Sequence, residues 1–236
     1  MGSSKNACNV ESDWYNPNVL TEARCAMPFK PTEWNVVLVG NWNPAILTPF
    51  GIAQTLLGFP PGRPIEVLIP LDQVAPFRVL VEDLVIMAST DRLEIAAKAP
   101  TYECLEHAKS VGIRALEVLP VTPVSAAGYN VRFVSDKPEV DALSLFECGI
   151  DAALSDEGFV IGSRAIKRSL AFDEGQINLS IEYKNDGACA ILCNFHLGSR
   201  KNAELKAWLS KPISVVKDKT LSLLARVLRA HMEVGT

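Results

Sequence analysis

Gln176-Ile177-Asn178-Leu179-Ser180-Ile181-Glu182-Tyr183-Lys184-Asn185-Asp186-Gly187-Ala188-Cys189-Ala190-Ile191-Leu192-Cys193-Asn194-Phe195-His196-Leu197 decides the class of the fold. Ile177, Leu179, Ile181 and Tyr183 alternate with Asn178, Ser180 and Glu182, the period of a half-buried strand. Asn185-Asp186-Gly187 is turn chemistry of the kind hairpins favour. Beyond it, Cys189, Ile191, Cys193, Phe195 and Leu197 line one face, while Asn194 and His196 look the other way. Two amphipathic strands joined by a tight turn make an antiparallel ribbon.

Similar ribbons lie upstream. Asp173-Glu174-Gly175-Gln176 closes a hairpin with an extended stretch from Phe159 to Phe172, which is expected to bend at Gly162. Ile65–Ile69, Phe77–Glu82, Leu84–Met87 and Leu93–Ile95 read as a meander of short strands. Tyr129–Phe133 alternates as another strand, with Tyr129, Val131 and Phe133 on its apolar side and Asn130 and Arg132 opposite. Helical stretches separate these groups. Thr48 caps a helix with Pro49 in its first turn and Gly58 at its stop. Thr101 caps a second helix, whose stripe is Leu105, Ala108, Gly112, Ala115, Leu116 and Leu119 and which Pro120 ends. A third runs through Val140, Leu143, Leu145 and Phe146 to Leu154. The C-terminal part is helical from Leu205 to Leu209 and again around Leu221–Met232.

The class is therefore α+β: antiparallel meanders in two halves, each followed by helices. Residues 1–30 read as an irregular arm in which Trp14 and Tyr15 are the docking candidates. Residues 31–136 form the first half and 137–236 the second, and the two can share one compact domain. No residue-level repeat relates them.

Composition bounds the function. The chain has 236 residues and a net charge of −4, so it carries no electrostatic footprint for nucleic acid. Local basic patches leave that partner open, though disfavoured. No apolar run approaches the ~20 residues of a membrane span, so no membrane partner is expected. The first residues show no secretory h-region, and Asn6 stands where a myristoylation signal wants Ser or Thr. A cytoplasmic location is the expectation. Six cysteines include no C-x-x-C pair; Cys189 and Cys193, four apart on one strand, stand ~13 Å from each other, too far for a disulfide.

Catalytic signatures are missing. His107, His196 and His231 lie in different elements without H-E-x-x-H or H-x-H spacing, so no metal is expected. Neither a nucleophile elbow nor a phosphate loop occurs, and no cofactor is expected. His107 reads as facing out from its helix. Cys104 lies near a helix N-terminus, but Glu103 and Glu106 beside it oppose a thiolate. Arg164, Lys167 and Arg168 are candidates for an anion site, against the plainer reading of a solvated sheet face. The loop after the Val36–Gly40 strand, with Asn41, Trp42 and Asn43, combines a glycine, two amides and an indole, and is a candidate ligand site. Equally, its amides can close the turn while Trp42 packs in the core. Asn194 and His196 complete the candidate ligand set.

Gly40-Asn41-Trp42-Asn43-Pro44-Ala45-Ile46-Leu47-Thr48-Pro49, with the Ser89-Thr90-Asp91-Arg92-Leu93 turn, resembles a sporadically distributed family of uncharacterised bacterial proteins. The resemblance follows the order of elements over most of the chain. It implies a prokaryotic origin and, since that family has no established activity, no mechanism. The reading reached is a prokaryotic binding or interaction protein that self-associates or meets a protein partner. The alternative is a small-molecule enzyme or ligand sensor using the loop after the first strand. The two-sided apolar strands Leu84–Met87 and Cys189–Cys193 carry the first reading, because a second layer is expected to cover them.

Overall fold

A computed structural model describes residues 29–71, 76–136, 146 and 148–228. Ten strands form one antiparallel sheet: β1 (Lys30–Pro31), β2 (Asn35–Gly40), β3 (Glu66–Leu68), β4 (Arg78–Val81), β5 (Leu84–Ala88), β6 (Arg92–Ala97), β7 (Val124–Ser135), β8 (Ser163–Phe172), β9 (Gly175–Lys184) and β10 (Cys189–Gly198). Five helices accompany them among the described residues: α1 (Pro49–Gly51, widening into i→i+5 turns over Ile52–Leu56), α2 (Tyr102–Val118), α3 (Gly149–Asp156), α4 (Asn202–Leu209) and α5 (Ile213–Ser222, widening likewise over Leu223–Val227). The α+β class with meander strands is what the alternating apolar pattern dictated.

The sheet order is β3-β4-β5-β6-β2-β7-β10-β9-β8, with β1 pairing beside β2 on the same edge of β7. The pairing groups the strands differently from the 31–136 and 137–236 halves, because β7 is bonded to β10 and opens the second group; in each half so divided a strand comes first, a helix follows, and a meander then returns its last strand to pair with the first. Thus β6 pairs β2 and β10 pairs β7. The two halves meet at the antiparallel pair β2·β7, so their order is mirrored about that seam. One meander has four strands and the other three. This two-fold arrangement had no counterpart in residue identity.

The helices pack on one side. Thr101 Oγ1 accepts from the Cys104 backbone N–H at 3.2 Å and starts α2. Leu105, Ala108, Gly112, Ala115 and Leu116 then face the sheet, all buried. At Gly112 an added Cβ would sit 3.1 Å from Val36 Cγ1 and 3.6 Å from Leu209 Cδ1, which shows how closely α2 approaches β2 and α4. Val36, Leu38, Ile95, Val131, Cys193, Phe195 and Leu179 come up from the strands into the same core. Burial raises the Cys193 thiol to about 12 and the Cys189 thiol to about 11, so both behave as small hydrophobes.

Three expectations differ from the structure. The strand ahead of Asp173 begins at Ser163; Phe159 and Val160 are exposed and unpaired in the ladder, because Gly158 at φ +83° turns the chain out of α3 before it reaches the sheet edge. The strand around Tyr129–Phe133 begins five residues earlier, at Val124. Ser125-Ala126-Ala127-Gly128 lacks β-branched residues, yet it lies between β2 and β10 and takes its conformation from pairing on both sides. The last long helix, expected to carry Leu221, Leu224, Ala225, Leu228 and Met232 on one face, starts at Ile213 and widens from Leu223, and among the described residues of that face Leu224 alone is buried. Trp14, Tyr15, His231, Met232 and the Val140–Leu145 stretch lie outside the described residues.

Candidate functional site

Every second residue of the central strands faces away from the helices, and on that open side one register row is made of amides. Asn35 of β2 stands opposite Asn130 of β7, Asn130 opposite Asn194 of β10, and Asn194 opposite Asn178 of β9. Ser169 of β8 stands opposite Asn178. Cross-strand neighbours on one face lie about 4.5–5.5 Å apart, within reach of a short amide. The row is continuously bonded. Asn35 Nδ2 donates to Glu94 Oε1 at 2.6 Å, Asn130 Nδ2 to Asn35 Oδ1 at 2.8 Å, and Asn194 Nδ2 to Asn130 Oδ1 at 2.8 Å. Asn178 Nδ2 donates to Asn194 Oδ1 at 3.0 Å. Ser169 Oγ at 2.7 Å and Gln176 Nε2 at 3.1 Å both donate to Asn178 Oδ1.

The direction of the row follows from its end. A carboxylate only accepts, so Glu94 requires the amino side of Asn35, which leaves the Asn35 carbonyl for Asn130, and so on to β8. Each amide dipole is thereby aligned, N–H toward β6. The Glu94 carboxylate sits at the positive end of the row, as an acidic residue sits at a helix N-terminus. Lys167 lies at the other end, two residues along β8 from Ser169 and on the same face.

Apolar groups flank the amides. Val37, Leu192, Ala190, Val134, Ala96, Val85 and Met87 are half-buried, and Val39 is exposed. Gly128, in the row beside the asparagines, sits between Val37 and His196. A Cβ there would lie 2.1 Å from the Phe195 carbonyl oxygen. Only glycine lets β7 and β10 close at this point. Charges of both signs punctuate the face: Arg78, Arg92, Arg132 and Lys167 against Glu66, Glu94 and Glu182, with Arg132 Nη1 2.8 Å from Glu33 Oε2.

Asn194 is in the middle of the row and His196 is next to it on the same face, opposite Gly128 and Gln176. Trp42 is buried, its Nε1 donating to the Leu38 carbonyl at 3.1 Å. Asn43 Oδ1 accepts from the Ala45 N–H at 3.0 Å and its carbonyl accepts from Ile46 and Leu47, so this amide closes the turn into α1. Asn41 is exposed beside it, at the end of β2 and away from the asparagine row.

Arg164, Lys167 and Arg168 do not converge. Arg164 Nε donates to Asp151 Oδ2 of α3 at 2.6 Å, Arg168 Nη1 donates to the Lys167 carbonyl at 2.8 Å, and Lys167 faces the open side. Among the described residues no three His, Cys, Asp or Glu side chains come together, and no helix is long and apolar enough to cross a membrane. Asn35, Asn130 and Asn178 were missed as site residues; alternation marked Asn130 and Asn178 as polar positions, but Asn35 heads an apolar run and the alignment of all three depends on strand order. No family model, no curated protein and no solved structure matches the chain.

Proposed function

We propose that this protein works by binding, and that the open sheet face is where a second copy of the same chain docks. The observation that supports this is the polarised asparagine row, flanked by half-buried apolar residues and by charges of both signs, on a face that no described element covers. The row is self-complementary. Asn35, Asn130 and Asn194 each use one donor and one acceptor site along the row and keep another of each for the facing surface, while Asn178, whose oxygen accepts from both Ser169 and Gln176, keeps a donor. Related by a two-fold axis that crosses the row, two such rows run in opposite directions, bringing the Glu94 end of one copy toward the Lys167 end of the other. Their aligned dipoles then oppose. The mixed charges suit the same arrangement, since an isologous interface places a patch against itself.

Other occupants fit less well. Nucleic acid asks for a basic, aromatic-bearing face, and this one alternates in sign and, among the described residues of its central strands, presents the His196 imidazole but no Phe, Tyr or Trp ring. A ligand sensor built on the loop after β2 has little to work with, because Trp42 is turned into the core and Asn43 is occupied by its own turn.

Sedimentation velocity tests the proposal. The wild-type chain is expected to be a dimer at micromolar concentration, and Leu192→Lys or Val37→Lys is expected to make it monomeric while leaving the circular dichroism spectrum unchanged. A monomeric wild type at tens of micromolar overturns the proposal, as does a dimer that both substitutions leave intact.

A further inference from the structure

On the helix side of the sheet, away from the proposed interface, a cleft of about 200 Å³ opens between α2, the α1–β3 connection and the β4–β5 turn. Its floor is apolar: Leu56, Phe59, Val81 and Val111. Besides Glu82 of the β4–β5 turn, its polar groups come from consecutive turns of α2, where His107, Ser110 and Arg114 stand at helical spacing. His107, read from sequence as facing out, is half-buried here because the β4–β5 turn folds over it. Its Nδ1 lies 2.7 Å from Asp83 Oδ1. With that nitrogen engaged, Nε2 is the ring atom left for a ligand.

Arg114 is fixed from behind. Its Nε donates to the Thr55 carbonyl at 3.1 Å, which orients the guanidinium plane. Gly58, at φ +68°, lets the chain pass close to it: a Cβ there would lie 3.1 Å from Arg114 Nη2. Among the described residues no carboxylate pairs with Arg114. The acid nearest in the cleft, Glu82, is taken by Arg63 at 2.9 Å, and Arg63 also lies over the Phe59 ring with Cζ 3.8 Å from its centroid. The Phe59-Pro60-Pro61-Gly62-Arg63 turn thus neutralises the acid and completes the apolar wall. What remains is one oriented, unpaired guanidinium and an imidazole over a hydrophobic floor.

We infer that this cleft binds a small organic anion, a carboxylate carried on a compact apolar body. A guanidinium fork and a carboxylate make charge-assisted bonds of matching geometry. The volume is below the ~300–1,000 Å³ of sites for drug-sized ligands, so the body is a single ring or a short branched chain.

Benzoate is a suitable probe, with benzamide as its uncharged counterpart and inorganic phosphate as an anion lacking the apolar body. Proton NMR of the imidazole signals reports the site directly, because His196 on the opposite face serves as an internal reference. Benzoate is expected to move the His107 resonance saturably, with a dissociation constant on the order of 1 mM or tighter, and to leave His196 in place. Benzamide and phosphate are expected to bind at least about tenfold more weakly, and Arg114→Gln to weaken benzoate by about tenfold. A His107 resonance that does not saturate with benzoate overturns the inference, as does equal binding of benzamide. These outcomes use wild-type protein and decide the matter even if Arg114→Gln fails to fold. They are also independent of whether the chain dimerises.

Discussion

An asparagine in a sheet is usually a mild liability, since its amide competes for the backbone and its β propensity is low. Here four of them are turned to use by a single acceptor at the end of the line. Because Glu94 can only accept, the orientation of Asn35, Asn130, Asn194 and Asn178 is determined in sequence. A prediction follows for Asn194. Asn194→Ala removes two hydrogen bonds at a half-exposed site where water can replace them, and is expected to cost about 1 kcal/mol. Asn194→Asp is expected to cost about 2 kcal/mol at pH 7. It traps Asn130 and Asn35 between two carboxylates that both demand donors. Facing an acceptor raises the folded-state pKa of the new acid above its unfolded value. The native variant therefore binds the proton more tightly, and its stability rises as pH falls through that pKa. Urea denaturation of both variants at pH 7 and near pH 4 checks this; equal losses at pH 7 would show that the row has no fixed direction.

At the scale of elements, the decisive contacts are those where backbone meets backbone. Gly128 admits the Phe195 carbonyl where a side chain would stand, and Gly175 does the same for the His196 carbonyl, with an added Cβ at 2.4 Å. Gly128→Ala is expected to destabilise by about 3 kcal/mol, readable as a lowered denaturation midpoint, because the clash is with main chain that cannot rotate away. A loss below about 1 kcal/mol would mean that β7 and β10 separate easily there. The hairpins were legible in the sequence because period-two alternation is a local signal and their turns carry local chemistry. Gly187 at φ +92° and Asp173 at φ +48° sit where the turn residues predicted. The first half of β7 was not legible, since Ser125 to Gly128 is extended only by virtue of its two neighbours. The asparagine row was half legible. Alternation put Asn130, Asn178 and Asn194 on polar faces, whereas their register follows from β7 lying between β2 and β10, a long-range fact that no window of sequence contains. The His107 cleft was hidden for the same reason: Asp83 is 24 residues away along the chain and 2.7 Å away in space.

At the scale of the molecule, the described residues are organised around the β2·β7 seam as one sheet and one layer of helices, with two distinct faces. The helix side holds the continuous core and the cleft, and the open side holds the amides, so binding to one leaves the other accessible. The seam also has a consequence for how the chain could be cut. Each half supplies a strand, a helix, a meander and a closing helix, and the covalent joint between them is the short run from Leu119 to Pro123, with Val121 at its tip 92% exposed. The joint accepts from the Asn41 N–H at Pro123 and from Asn202 Nδ2 at Pro120, contacts that a cut between Val121 and Thr122 leaves in place. Expressed as two separate polypeptides, 1–121 and 122–236, the halves are expected to find each other and copurify with a circular dichroism spectrum like that of the intact chain; soluble, folded fragments that ignore one another would show otherwise. A chain that passes this test is, in physical terms, two complementary partners that recognise each other through β2 and β7.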